Sequence, residues 1–174
     1  MLGYISMKGA PGAADLLLSE LANALAAQGF RLAGAVQSNT DQGADCSCDM
    51  DLRVLGDLGP EIRISQSLGP GSEGCRLDAG ALEMAVARVQ AVLDQGAELV
   101  ILNKFAKQEA YGRGFRDVIA NALARGIPVL TYVPVGYEAA FNEFAGDLAQ
   151  PVADEGAAAW CLAALNAPVA SASA

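Results

Sequence analysis

The stretch Gly9-Ala10-Pro11-Gly12-Ala13-Ala14-Asp15-Leu16 decides the fold, because of the patterns on either side of it. A short apolar run at residues 2–7 precedes it and predicts a buried strand. Residues 15–28 follow, with leucines near one face and Gly29 at the end, and this pattern predicts a helix. A strand, a glycine-containing loop and a helix in this order are the context that a phosphate-binding loop requires.

The chemistry of that loop is altered at its two most important positions. A working loop carries a lysine that contacts the β- and γ-phosphates, followed by a serine or threonine that binds magnesium. Here Asp15 occupies the lysine position and Leu16 the hydroxyl position. The dipole of a helix N-terminus stabilises a carboxylate there, but that carboxylate repels a phosphate. The stretch therefore predicts the scaffold of a phosphate-binding loop without its catalytic groups.

The composition describes a well-folded chain and excludes several classes of function. With 174 residues, 53% of them hydrophobic, we expect one domain at residues 1–166 and a flexible tail at 167–174. The net charge of −9 disfavours nucleic acids and anionic membranes as partners, and the apolar runs are too short to span a bilayer. Because there is no histidine, Ser-His-Asp and Cys-His catalysis are excluded. Four cysteines without a secretory signal favour a cytoplasmic protein with reduced thiols.

The rest of the chain alternates between strand and helix patterns. Further strands are predicted at residues 30–37, 99–102 and 128–133, and further helices at 79–95, 114–125, 138–144 and 155–165. The fold class is therefore α/β, with a three-layer, doubly wound, mainly parallel sheet and a small antiparallel addition near residues 50–64. Ligands of such sheets bind at the carboxyl ends of strands. Those ends are expected at residues 8–15, 38–49, 103–114 and 134–137.

Three segments together resemble a known family. They are Ser65-Gln66-Ser67-Leu68-Gly69, Gly74-Cys75-Arg76-Leu77-Asp78 and the run from Asn103 to Glu109 with Gly112-Arg113-Gly114-Phe115. They resemble an uncharacterised bacterial family, domain of unknown function 2478, over residues 2–160. The resemblance implies a fold similar to that of small P-loop nucleoside-triphosphatases, and genes placed near those for molybdate transport or nitrogen fixation.

Against active triphosphatases of that kind, both signature motifs are altered. Their Walker A loop resembles residues 9–12 and departs at residues 14–16. Their second signature, an apolar strand ending in Asp-Glu-Ile-Gly-Lys-Met-Glu, looks like residues 99–109. Asn103 stands at the magnesium-binding aspartate and Lys104 at the glutamate after it, whereas Lys107 and Glu109 keep their type. The resemblance thus implies degenerate Walker A and Walker B motifs, which argues against an enzyme.

Two clusters are candidates for binding an anion. Cations after strand 99–102 could gather an oxyanion, or the phosphates of a nucleotide bound without magnesium, and a glycine-rich loop with Arg76 could do the same. The alternatives are a solvated loop in which Lys107 pairs with Glu109, and a connector in which Asp78 caps a helix and pairs with Arg76. The candidate ligand-binding residues are Gly9, Gly12, Asp15, Ser65, Gln66, Arg76, Asn103, Lys104, Lys107, Glu109 and Arg113.

Thiolates provide a separate candidate for a metal site. Cys46, Cys48 and Cys75 could hold zinc or Cu(I), with Asp45 or Asp49 completing the ligand set. Free loop thiols and a Cys46–Cys48 redox pair are the alternatives, and Cys161 is expected in the core. The sequence assigns no catalytic residue and no cofactor.

The leading hypothesis is a cytoplasmic, non-hydrolytic P-loop-like protein. It would bind a small anionic ligand (a nucleotide or an oxyanion such as molybdate) or a protein partner, in molybdenum or nitrogen-fixation physiology. One alternative is a nucleoside-triphosphatase or phosphotransfer enzyme with a rebuilt site, in which Lys8 or Lys104 replaces the missing lysine. The other is a structural or regulatory homo-oligomer.

Overall fold

The computed structural model describes residues 1–7, 10–40, 49–66 and 77–167. Within these ranges the strands are β1 (Leu2–Ile5), β2 (Leu32–Thr40), β3 (Asp49–Leu55), β4 (Ile62–Arg63), β5 (Leu99–Leu102), β6 (Val129–Tyr132) and β7 (Ala149–Pro151). The α-helices are α1 (Ala13–Ala27), α2 (Ala79–Gln95), α3 (Lys107–Ala110), α4 (Arg116–Ala124), α5 (Glu138–Ala145) and α6 (Ala157–Asn166). Two short 3-10 helices, Gly146–Leu148 and Asp154–Gly156, flank β7.

All seven described strands form one sheet in the order β4-β3-β2-β5-β6-β1-β7. Strands β2, β5, β6, β1 and β7 run parallel, and β3 and β4 are added antiparallel beside β2. The predicted fold class is therefore confirmed, including the antiparallel addition.

Strand β5 shows why the sheet must be covered on both faces. All four of its residues, Leu99 to Leu102, are fully buried. Leu99 and Ile101 belong to the core cluster that contains α1 and α6, whereas Val100 and Leu102 belong to the cluster that contains α2, α4 and α5. Side chains alternate between the faces of a strand, so an uninterrupted apolar run requires apolar partners on both sides.

The connections between the strands place a crevice at the carboxyl ends of β1 and β6. Strand β1 leads into α1 on one face, whereas its neighbour β6 leads into α5 on the other. After these adjacent parallel strands, the chain therefore crosses to opposite faces of the sheet. A crevice at such a point, outside the carboxyl ends of the strands, is where α/β sheets bind ligands.

Helix α1 begins at a glycine for a conformational reason. Gly12 is its N-cap residue and has φ +83°, in the left-handed region that other residues rarely adopt. The Ala13 amide donates to the Ala10 carbonyl (3.1 Å), which closes the turn before the helix. Leu18, Leu21 and Leu25 then bury the inner face of α1 against the sheet.

Apart from shifts of one to three residues at element ends, among them the extension of β2 to Thr40, the structure differs from the sequence prediction at two places. Residues 103–114, predicted as a polar loop, include the short helix α3. Strand β7 was not predicted, because Ala149-Gln150-Pro151 has no strand pattern and forms by pairing its backbone with β1. Residues 168–174 of the predicted tail lie outside the described residues. Across the described ranges, the helices lack the combination of length and apolar character that a membrane crossing needs.

Candidate anion-binding site

A cleft opens where β1 and β6 end. Its volume is about 280 Å³. The described residues that line it are Met7, Ala10, Pro11, Gly12, Ala13, Ala14, Asp15, Lys104, Tyr132 and Pro134. The cleft thus combines the altered loop, the first turn of α1 and one lysine from the end of β5.

The first turn of α1 presents backbone N–H groups to this cleft. The first hydrogen bond within the helix runs from the Leu16 amide to the Gly12 carbonyl (3.0 Å). The amides of Ala14 and Asp15 therefore precede the first residue that can find an acceptor inside the helix. Together with the positive end of the helix dipole, they favour a negatively charged group in the cleft.

Asp15 is held in place by a residue of β2. Its carboxylate oxygen Oδ2 accepts a hydrogen bond from Asn39 Nδ2 (2.6 Å). Leu16, the next residue, is 60% exposed. The first turn of α1 therefore offers the cleft a carboxylate instead of an amine.

Gln37 connects this carboxylate to Lys104. Gln37 is 5% exposed, and its Nε2 donates to Asn39 Oδ1 (2.6 Å). Its Oε1 accepts from Asn103 Nδ2 and from Lys104 Nζ, both at 3.2 Å. A continuous chain of hydrogen bonds thus runs from the first turn of α1 through the end of β2 to the end of β5.

Asn103 closes the same network from β5. It is 2% exposed, and its Oδ1 accepts from the Gln37 backbone amide (3.2 Å) while its Nδ2 donates to the Gln37 side chain. Both polar atoms of the Asn103 side chain are therefore engaged in joining β5 to β2.

Sequence reasoning did not identify Gln37 and Asn39 as site residues. A signal was nevertheless present, because β2 ends in four polar residues, Gln37-Ser38-Asn39-Thr40, in which Gln37 and Asn39 stand at i and i+2. That spacing places both side chains on one face of the strand. Their partners, Asp15 and Asn103, come from other elements, so the pairing itself depends on the order of the strands.

A second cavity, here called the apolar cavity, lies beside the cleft and has a volume of about 160 Å³. Its walls are Met50, Leu52, Ile64, Leu77, Leu82 and Phe115, and its polar rim is Gln37, Asn103, Lys104, Lys107, Gln108 and Glu109, with Ala106 between them. Among the described residues, Lys104 lines both the cleft and the apolar cavity. Lys104 therefore lies at the boundary of the two spaces.

Glu109 has a structural role at this rim. It is 4% exposed, and its carboxylate oxygens accept from the backbone amides of Ala106 (3.0 Å) and Phe115 (3.1 Å). Burial raises the pKa of the Glu109 carboxyl, and these amides and the charge of Lys104 oppose the rise. The alternative in which Glu109 pairs with Lys107 at the surface is therefore wrong, because Glu109 is buried and closes the loop between β5 and α4.

The other candidate residues are dispersed. Ser65 accepts from the Met50 amide (3.1 Å) and donates to Asp49 Oδ1 (3.2 Å), so it fastens the start of β3. Arg113 and Gln66 are exposed. Neither residue is among the described residues that line the cleft or the apolar cavity. Asp78 accepts from the Ala81 amide (3.0 Å) and caps α2, as predicted. Gly9 and Arg76 lie outside the described residues.

The proposed thiolate site cannot be placed in the fold, since Cys46, Cys48 and Cys75 also lie outside the described residues. Within the described ranges, no three His, Cys, Asp or Glu side chains come together in a way that could hold a metal ion. Cys161 is buried, as expected, and burial raises the pKa of its thiol to about 12.

The sheet, the glycine-capped helix after β1 and the cleft at its first turn define an α/β fold of the P-loop nucleoside-triphosphatase type. The chain belongs to the family described as protein of unknown function (DUF2478), whose model matches residues 4–160. It is also similar to the molybdenum import ATP-binding protein ModC 2 of Bradyrhizobium diazoefficiens, with 43% identity over 134 residues. This match covers 77% of the chain but only 15% of the length of that relative. No solved structure matches the chain.

Proposed function

We propose that this chain binds a small oxyanion of low charge in the cleft above α1, and that it does so without hydrolysing a nucleotide. The observation that carries the proposal is the lining of the cleft, where the Lys104 amine and the first-turn amides of α1 contribute to one space. An ammonium group and helix N-terminal amides are the groups that proteins use to bind phosphate-like ions.

The charge of the cleft favours a small anion over a triphosphate. Among the described lining residues, Lys104 supplies one positive charge and Asp15 one negative charge. A triphosphate brings several negative charges close to the Asp15 carboxylate, with no P-loop lysine to offset them. A mono- or dianion needs only the Lys104 amine and the backbone amides. Phosphate, molybdate and tungstate belong to this class.

The donor set supports a non-hydrolytic role, because it does not fit the magnesium ion that accompanies nucleotides in this fold. Magnesium prefers oxygen ligands, and Leu16 offers only carbon where a hydroxyl is needed. The oxygen of Asn103, at the position of the second magnesium ligand, accepts from the Gln37 amide. These contacts support the proposal of degenerate Walker motifs in a site that binds without hydrolysis.

The physiological setting is proposed from the relative. The name of that protein refers to molybdenum import. We propose a role in molybdenum physiology in the cytoplasm, with molybdate as the first oxyanion to test and a protein partner as a further element of that role.

A thermal-shift series tests the binding. Phosphate, molybdate and tungstate at about 100 times their dissociation constant should raise the melting temperature by roughly 5–10 °C, because a ligand that binds only the folded state stabilises it. ATP and GTP should give smaller shifts at equal concentration. Low ionic strength is required, since salt screens the Lys104 charge.

The matched variants are Lys104→Met and Arg113→Met. Both remove one positive charge, but only Lys104 lines the cleft. We expect Lys104→Met to abolish the shift and Arg113→Met to retain it. The proposal is wrong if none of these anions changes the melting temperature, or if the two variants respond alike.

A further inference from the structure

We infer that the ligand carries an apolar body about the size of one six-membered ring next to its anionic group, and that this body occupies the apolar cavity. The inference rests on the proposed function, because the same lysine would bind the anionic group. It narrows the ligand class from any small oxyanion to a small organic anion with a single ring.

The size of the apolar cavity sets the size of the body. Its volume is about 160 Å³, and its walls are aliphatic and aromatic side chains from β3, α2 and the start of α4. A cavity of about 150 Å³ lined by Leu, Ile and Phe is known to bind benzene. One ring therefore fills this space, whereas a fused two-ring system exceeds it.

The polar groups at the rim leave the body few hydrogen bonds to make. Gln37 and Asn103 are paired with each other, and the carboxylate of Glu109 accepts backbone amides on both of its oxygens. A polar body would gain little from groups that are already satisfied. The cavity thus favours an apolar body.

Charge complementarity decides where the anionic group lies. The Lys104 amine is fixed 3.2 Å from Gln37 Oε1, and Lys104 lines both the cleft and the apolar cavity. Lys107 adds a second positive charge at the exposed rim. Lys104 and Lys107 both line the apolar cavity, so an anionic group held by them at its opening leaves a directly attached ring inside it. An inorganic oxyanion would leave the apolar walls in contact with water.

The test compares two probes that share one head group, phenylphosphonate and methylphosphonate, by isothermal titration calorimetry on the full chain. Burial of the ring should make phenylphosphonate bind at least about tenfold more tightly. 1-Naphthylphosphonate should gain nothing over phenylphosphonate, because its second ring does not fit. This comparison needs no variant and remains valid if a substitution disturbs folding.

A pair of variants locates the ring. Met50 lines the apolar cavity, whereas Met84 is 59% exposed on α2. Met50→Phe should fill the cavity and remove the advantage of phenylphosphonate while methylphosphonate still binds, and Met84→Phe should leave both affinities unchanged.

The outcomes separate this inference from the proposed function. If methylphosphonate binds and phenylphosphonate is no tighter, or if Met50→Phe keeps the advantage of the ring, the inference is overturned and the proposed function stands. If neither phosphonate nor phosphate binds, both are overturned.

Discussion

At the scale of single residues, Asp15 and Lys104 are joined by hydrogen bonds that pass through Asn39 and Gln37. We propose that the carboxylate stands where a P-loop has its lysine, and that Lys104, which follows β5 and lines the cleft, supplies the positive charge instead. Gln37 is buried and holds the Lys104 amine in one place. Its amide is uncharged and does not neutralise the amine, whereas a carboxylate at this position would.

Glu109 provides a residue-scale prediction about pH. Burial raises the pKa of its carboxyl in the folded state, so the folded state binds this proton more tightly than the unfolded state does. The contribution of Glu109 to the free energy of unfolding is then largest below the unfolded pKa of about 4.3, and it falls as the pH rises through the folded pKa. Glu109→Gln removes the titration.

Urea unfolding over a pH series measures this effect. The free energy of unfolding of the wild type, minus that of Glu109→Gln, should decrease as the pH rises above about 4.3. Glu143→Gln, which makes the same substitution at an exposed position of α5, serves as the control. A difference for Glu109→Gln that increases with pH would contradict the burial argument.

At the scale of elements, the connection between β5 and α4 is built around the buried Glu109 carboxylate. Gly114 has φ +58°, and a Cβ atom there would overlap Glu109 Oε1. Gly112 has φ +78°, but a Cβ atom there would meet no heavy atom within 4 Å. Both positions need the left-handed conformation. Only at Gly114 would a side chain also collide with a neighbouring residue.

This difference predicts the stability of two matched variants. Gly112→Ala should lower the free energy of unfolding by about 1–2 kcal/mol, the cost of a left-handed conformation for alanine. Gly114→Ala should lower it by about 3 kcal/mol or more, since it also displaces the carboxylate that accepts the Phe115 amide. Chemical denaturation measures both losses. Equal losses of unfolding free energy in the two variants would show that the close contact between Gly114 and Glu109 does not affect stability.

The elements also show how far the sequence predicts the fold. Helix α2 and strand β5 have the predicted bounds, because their apolar periodicity and flanking residues are strong. Helix α3 and strand β7 have four and three residues, too few for a period to appear. Helix α3 is closed locally, because Glu109 accepts the Ala106 amide three residues before it, whereas β7 forms by pairing with β1, which is a tertiary interaction.

At the scale of the whole molecule, the site depends on strand order, which local patterns do not specify. Gln37 and Asn103 lie next to each other because β2 pairs with β5, with residues 41–98 of the chain between these strands. The sequence predicted that the strand ends would meet at one edge, and it identified Lys104 and Asp15 as candidates. It did not predict Gln37 and Asn39, whose amide side chains connect Asp15 to Lys104. The roles of Lys104 and Asp15 in binding a ligand remain a proposal.

We propose that this P-loop-like cleft binds anions and does not hydrolyse nucleotides. Release of phosphate from Mg·ATP by the full chain tests it most directly. We predict a rate no higher than that of Mg·ATP alone, because neither a P-loop lysine nor a magnesium-binding hydroxyl is present at residues 15 and 16. Magnesium-dependent turnover on the order of 1 per second, lost in Lys104→Met, would contradict the claim and identify a working phosphotransfer site.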